Sequence, residues 1–230
     1  MHRAGSLVGE SRSTLAAPLS TVKRQTAARR PAYNSPSMSA MNIMAILLAA
    51  GAGTRFGGGK LIHPLDDGVP IAAHSARNLI AAGLDVIAVT RPGDFPLADV
   101  LEQEGCMVTP CPDASRGMGH TLAHGVANAR EAAGWVIALA DMPRVQPATI
   151  RAVATAVAAG DLIAAPVYRG ERGHPVAFSA QLREELMRLT GDTGARAVLQ
   201  RHRDATRLLE CDDAGVVLDI DVKDDLPRIA

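Results

Sequence analysis

The chain has 230 residues, of which 24 are Lys or Arg and 24 are Asp or Glu, and 47% of it is apolar. That balance excludes a generally basic nucleic-acid binder, no apolar run reaches the ~18 residues of a membrane helix, and the length suits one domain with at most an appendage. Three cysteines without C-x-x-C spacing argue against a disulfide framework or a zinc site and fit a reducing, cytoplasmic setting.

The zero net charge hides an asymmetry. Residues 1–40 hold six basic side chains and one acidic one, leaving −5 on residues 41–230. The segment is rich in Ser, Thr, Ala and Pro and has no hydrophobic periodicity, so it reads as a disordered extension. Its Arg- and Ser-rich, acid-poor makeup also fits a transit peptide, and Met41 offers an alternative start just before the first predicted strand. Residues 41–230 read as a single domain.

From there strands and helices alternate. Residues 44–50 form an apolar strand followed by a Gly-rich loop. A helix is expected over 71–82, stopped by Gly83. Strand 86–90, a short helix over 97–104 and a third strand over 106–110 follow. A helix over 120–133 leads to a strand over 136–140, which ends at Asp141-Met142-Pro143. A helix over 147–159 begins with Pro and ends at Gly160, and strand 162–167 comes next. Beyond Tyr168 the spacing changes: a turn over 169–173, a strand over 174–178, helices over 180–189 and 195–203, and strands over 206–210 and 216–220. Such alternation predicts an α/β fold with a Rossmann-like, doubly wound, mostly parallel sheet and some antiparallel pairing in the C-terminal part. Continuous apolar strands suit a sheet covered on both faces.

The loop after the first strand reads Leu48-Ala49-Ala50-Gly51-Ala52-Gly53-Thr54-Arg55-Phe56-Gly57-Gly58-Gly59-Lys60. In α/β sheets ligands bind outside the carboxyl ends of the strands. A glycine-dense loop lets backbone N–H groups approach phosphate oxygens. Arg55 can grip phosphate with two nitrogens and Lys60 adds a point charge. A polyphosphate site follows. Two familiar alternatives fail on spacing. The dinucleotide motif G-x-G-x-x-G meets Phe56 where its third glycine belongs, and the Walker loop needs Ser or Thr after Lys60, where Leu61 stands.

The loop resembles the L-A-A-G-x-x-x-R-[MF]-G-x-x-K signature of the MobA-like nucleotidyltransferase superfamily. Further segments resemble that superfamily, and its molybdenum cofactor cytidylyltransferase branch in particular, in the same order. Arg116-Gly117-Met118-Gly119-His120-Thr121-Leu122 is similar to G-M-x-x-S-L, with Thr121 in place of Ser. Ala140-Asp141-Met142-Pro143 is similar to G-D-M-P, with Ala140 in place of Gly. Arg172-Gly173-His174-Pro175-Val176 and Gly191-Asp192-Thr193-Gly194-Ala195-Arg196 resemble acceptor-side motifs. Asp219-Ile220-Asp221 with Asp224-Asp225-Leu226 resembles a closing D-I-D-T-P-E-D-L, although Val222-Lys223 replaces Thr-Pro.

The residues carry chemistry that suits this resemblance. Nucleotidyl transfer builds negative charge on phosphate oxygens and on departing pyrophosphate, which Mg²⁺ and fixed cations stabilise. Mg²⁺ favours a few carboxylates beside phosphate oxygens and water. Asp141 closes an apolar strand at the edge where ligands lie; a turn cap is its ordinary alternative. Asp221 also follows a predicted strand, with Asp219 on the same face as a competitor; the resemblance selects Asp221. The expected catalytic set is Asp141, Lys60 and Arg55, with Asp141 and Asp221 as metal ligands. The resemblance implies nucleotide contacts from Leu48, Ala49, Ala50, Gly51, Gly53, Thr54, Arg55, Lys60, Met118 and Thr121. It places His174, Asp192 and Arg196 on the acceptor side, Arg196 being suited to a phosphomonoester. Residues 90–93 read as either a base-site wall or a plain turn. His120 and His124 lack a third ligand and read as packed or solvated. Trp135 reads as core, and Asp212, Asp213, Asp224 and Asp225 as surface charge.

The cytidylyl branch resembles Leu48-Ala49-Ala50-Gly51, whereas the guanylyl branch usually has Gly in place of Ala50. The leading expectation is a Mg²⁺-dependent transferase moving CMP from CTP to a molybdopterin-type acceptor. A molybdoenzyme or its chaperone is the implied recipient, with no nucleic-acid or membrane partner. The alternatives are the same chemistry with GTP or another phosphorylated acceptor, a non-catalytic cofactor-delivery protein, and a nicotinamide- or flavin-linked oxidoreductase, which Phe56 disfavours.

Overall fold

A computed structural model describes residues 42–228. The expectation for residues 1–40 lies outside them. Eight strands form one sheet: β1 Ile43–Leu48, β2 Asp85–Thr90, β3 Met107–Pro110, β4 Gly134–Leu139, β5 Ile163–Tyr168, β6 Glu171–Arg172, β7 Val176–Ser179 and β8 Thr206–Glu210. The order is β3-β2-β1-β4-β7-β5, with β6 and β8 also paired to β5. The β1–β2, β1–β4, β2–β3 and β5–β8 pairs are parallel, and β7 and β6 run against their neighbours. The fold is thus the expected mostly parallel α/β sheet with antiparallel pairing in its C-terminal part.

Strand parity sorts the core into two layers. Ala45 and Leu47 of β1 face helices α1 (Ile71–Ala81) and α4 (Pro147–Ala158) through residues such as Leu79, Ile150 and Val153. Ile46 and Leu48 face helix α3 (Met118–Asn128) with Leu122, Val126, Trp135 and Phe178. A Cβ on Gly125 would lie 2.5 Å from Ile46 Cγ2, so glycine lets α3 press onto the sheet. Helix α2 (Phe95–Gln103) packs on the α1 side through Leu97 and Leu101. The short helices α5 (Arg183–Met187) and α6 (Arg196–Arg201) contribute Leu186 and Val198 to the α3 side.

Three expectations are corrected. Helix α3 starts at Met118 and stops at Asn128, five residues before the expected end. The Ala129 carbonyl accepts the Trp135 indole N–H at 3.2 Å, and the Ala133 N–H, which would have continued the helix, donates to Asn42 instead. The expected helix over 180–189 is a 3-10 turn, Ala180–Leu182, capped by the Ser179 hydroxyl, then α5. No strand forms over 216–220. Residues Ala214–Val217 make a 3-10 turn, and the chain then crosses the carboxyl end of the sheet. It is held there by His174 N–H to Val216 carbonyl (2.8 Å) and Ile220 N–H to Asp141 carbonyl (3.0 Å).

The strap depends on Asp213, expected at the surface but only 2% exposed. Its carboxylate accepts from Gln146 N–H (2.9 Å), the Thr149 hydroxyl (2.7 Å) and Gly215 N–H (3.0 Å). It therefore ties the strap to the N-terminus of α4, where negative charge is favoured. Asp213→Ala leaves buried donors unpaired and should lower unfolding free energy by about 1–3 kcal/mol in a denaturant melt. An unchanged midpoint would show that water replaces the carboxylate.

Candidate functional site

The carboxyl ends of β1 and β4, Leu48 and Leu139, are register partners. From β1 the chain crosses to β2 on one side, and from β4 towards β5 on the other. The crevice opens at this reversal.

One wall is the Gly-rich loop. The N–H groups of Phe56 and Gly58 both donate to the Gly53 carbonyl at 3.1 Å. Gly53 has φ +58°, and a Cβ there would sit 3.1 Å from Lys60 Cβ. Glycine thus satisfies a left-handed turn and lets the loop close on the lysine. Phe56 is 4% exposed and meets the edge of the His63 ring, centroids 5.2 Å apart. That contact anchors an otherwise polar loop. Lys60 then opens the 3-10 turn Lys60–Ile62, fixed by buried Leu61.

The loop meets an acidic cluster. Lys60 Nζ lies 2.7 Å from Asp141 Oδ2 and 3.7 Å from Asp221 Oδ1, and its side chain is 10% exposed. Arg55 lies 2.5 Å from Asp221 Oδ2, with its own side chain 76% exposed. An ion pair that wet adds little stability, so the guanidinium can turn to a ligand at small cost. Oxygens of Asp141, Asp219 and Asp221 all lie within 4.8 Å of one another. The strap's bond from Ile220 to the Asp141 backbone brings them there, and the Asp225 carboxylate fixes the next turn by accepting from the N–H groups of Asp221 and Val222 at 2.9 Å each. Partial desolvation, followed by repulsion from the Asp141 carboxylate, raises the Asp219 pKa. An all-oxygen, acidic donor set of this kind fits a hard divalent cation.

Beside the Gly-rich loop lies a groove of about 550 Å³, lined among others by Leu48, Ala50, Gly51, Lys60, Met118 and Thr121. Asp141 and Asp192 also line it, as does Arg91 from the turn after β2. Ala49 turns into the core at 1% exposure. Thr54 stands exposed at the outer rim, and Gly53 lines a smaller adjoining hollow with Lys60 and Arg91. Next to the groove is a second cavity of about 340 Å³, with Leu122, Ile137, Val176 and Phe178 as its apolar floor and Arg172, His174 and Arg196 among its lining. Leu48, Met118 and Leu139 line both cavities. The three residues expected on the acceptor side are therefore divided: His174 and Arg196 face the second cavity, and Asp192 faces the groove.

His174 is set deep in that second cavity. Burial, then the positive charge of Arg172, lowers its pKa to about 4, with Asp141 opposing. At neutral pH it is an uncharged imidazole, and its buried Nδ1 has no hydrogen-bond partner. The loop around it is tightly made, because a Cβ on Gly173 would collide with the Val216 carbonyl.

Sequence reasoning overlooked Ser115 in the groove and gave Arg172 no role of its own. It also set Asp219 against Asp221, although the structure gathers both. Their i, i+2 spacing was the available signal. His120 and His124 are not a metal pair: His120 Nδ1 accepts from Gly191 N–H, and His124 Nε2 lies 2.9 Å from the Thr109 hydroxyl.

The model of the MobA-like NTP transferase domain matches residues 45–206. The Purine catabolism protein PucB of Bacillus subtilis is 29% identical over 198 residues, 81% of this chain and 95% of that relative. Nicotine blue oxidoreductase of Paenarthrobacter nicotinovorans is 26% identical, covering 81% and 96%. Among solved structures, Rv0371c of Mycobacterium tuberculosis superimposes with a TM-score of 0.73 at 30% identity, covering 82% of this chain and 97% of that one. Its manganese complex gives 0.70 at 28% identity, covering 82% and 98%. Among the described residues no helix is long and apolar enough to cross a membrane.

Proposed function

The chain belongs to the MobA-like NTP transferase family, and on that premise we propose that it moves CMP from CTP to a molybdopterin-type acceptor and releases pyrophosphate. One observation carries this reading: Lys60, at the end of the Gly-rich loop, meets a cluster of three carboxylates, of which Asp141 lines a groove that adjoins a second, Arg-lined cavity.

In this reading the N–H groups of the loop, with Lys60 and Arg55, hold the triphosphate. Asp141, Asp221 and Asp219 hold Mg²⁺. The manganese complex of Rv0371c supports a divalent cation in this family. The metal, when bound, neutralises charge on the phosphate oxygens. An acceptor phosphate oxygen, steered by Arg172 and Arg196, attacks the α-phosphorus, and the bond to the β-phosphate oxygen breaks. Neutral His174 offers a hydrogen bond to the acceptor without repelling either arginine. Three free thiols support placement in a reducing cytoplasm, and a molybdoenzyme or its chaperone would receive the product.

The name of one relative raises a redox alternative. Phe56, packed in the core, occupies the position where a dinucleotide loop needs its third glycine. Pyrophosphate release from a panel of NTPs, with and without molybdopterin, separates the readings. CTP with molybdopterin should be the productive pair. Preference for GTP overturns the cytidylyl assignment, and no release from any NTP overturns nucleotidyl transfer.

Base choice has its own test. Ala50 lines the groove at 9% exposure, so its methyl narrows the space open to a purine. Ala50→Gly should raise GTP use relative to CTP. One methyl in a pocket typically shifts discrimination by ~10–200-fold, and the low end is expected because space is added without new contacts. An unchanged ratio of kcat/KM for the two nucleotides would remove Ala50 from base selection.

A further inference from the structure

The two cavities share Leu48, Met118 and Leu139 but otherwise draw on different parts of the chain, and nothing in the nucleotide chemistry itself says how they are kept in register. The groove depends on the first turn of α3, which supplies Met118 and Thr121. The second cavity depends on the loop over 190–196, which supplies Thr193, Gly194 and Arg196 to it and Asp192 to the groove. This loop lies outside the sheet and runs into a helix of only six residues, α6, which begins at Arg196. A segment of that kind opens easily unless something specific holds it.

Two hydrogen bonds lock it to α3 across more than 70 residues of sequence. Gly119 N–H donates to the Gly191 carbonyl at 2.7 Å, and Gly191 N–H donates to His120 Nδ1 at 3.3 Å. Gly191 is thus gripped through both its backbone polar atoms. The approach is close enough to exclude side chains: a Cβ on Gly117 would collide with Asp192 and Gly191, one on Gly119 would come within 2.7 Å of the Thr190 carbonyl, and one on Gly194 would come within 2.9 Å of Met118 Sδ. The backbone bond from Gly119 requires only a backbone. The bond from Gly191 requires a side-chain acceptor at this one position. A backbone N–H can only donate, so His120 Nδ1 is unprotonated and Nε2 carries the hydrogen.

We propose that His120 is a positioning residue: by accepting the Gly191 N–H it fixes the 190–196 loop on the first turn of α3 and so presets the acceptor cavity against the nucleotide groove. This assignment rests on the reading of the second cavity as the acceptor side. The bond itself does not.

The test has two arms on the full-length protein. The first is amide hydrogen exchange without any ligand. His120→Ala should speed exchange over 190–196, and His120→Asn, whose Oδ1 stands where Nδ1 stood, should restore protection. Unchanged exchange in His120→Ala, or no restoration by Asn, overturns the proposal. The second arm is steady-state transfer from CTP to molybdopterin. His120→Ala should raise KM for molybdopterin by roughly 3–10-fold, the scale of one neutral hydrogen bond, with KM for CTP changed by less than about twofold. His120→Asn should recover most of that loss. An equal rise in both constants overturns the acceptor-side role. If the wild-type protein transfers nothing to molybdopterin, the acceptor reading fails on its own, and the exchange arm still decides whether His120 holds the loop.

Discussion

Asp141→Asn should lose about 10²–10³-fold in turnover while keeping its melting temperature. Losing one preorganised electrostatic contact to the transition state costs on that order. The substitution is isosteric, and the parts of Asp141 that hold the fold are in its backbone: the carbonyl accepts Ile220 N–H at 3.0 Å, and the next residue, Met142, is 5% exposed in the core. Neither changes. What changes is the charge of an oxygen 2.7 Å from Lys60 Nζ and within 4.8 Å of oxygens of Asp219 and Asp221. An amide oxygen binds a hard divalent cation more weakly than a carboxylate does. The variant should therefore need more Mg²⁺ for half-maximal rate, and excess metal should recover part of the loss. Wild-type turnover in Asp141→Asn would remove it from the metal site.

The parts of this site that lie on regular strands were legible in the sequence. Residues 44–50 and 136–140 are apolar runs with a special residue directly after them, and a parallel sheet must place both at its carboxyl edge. That they are direct neighbours, with Leu48 opposite Leu139, came from the structure. The strap was not legible in the same way. Val216, Val217, Leu218 and Ile220 look like a strand by composition, yet the Val216 carbonyl and the Ile220 N–H bond to His174 and Asp141 at the end of the sheet rather than along a neighbouring strand. Local propensity cannot report a partner that distant. Asp213 failed for a related reason. A carboxylate in an Asp-Asp-Ala-Gly turn reads as solvated, and only the fold brings Gln146 and Thr149 to it. The end of α3 was set by the Trp135 indole, six residues beyond the carbonyl it occupies.

Lys60→Met should move metal binding and turnover in opposite directions. Its ammonium lies 2.7 Å from Asp141 and 3.7 Å from Asp221, on a side chain that is 10% exposed. Without nucleotide, that cation competes with a divalent ion for the same carboxylate oxygens. Removing it should tighten Mn²⁺ binding to the nucleotide-free protein, read by calorimetry. On the proposed reading, the same ammonium faces the triphosphate as a fixed positive charge once nucleotide binds, and losing it should cost about 10²-fold in kcat/KM. Methionine keeps a flexible stem of similar length, so the 3-10 turn and the burial of Leu61 should survive. The opposed signs matter because a variant that merely disorders the loop weakens both. Mn²⁺ binding that weakens along with turnover would make Lys60 a support for the carboxylates. Turnover that stays at the wild-type level would leave the phosphates to the backbone of the Gly-rich loop and to Arg55.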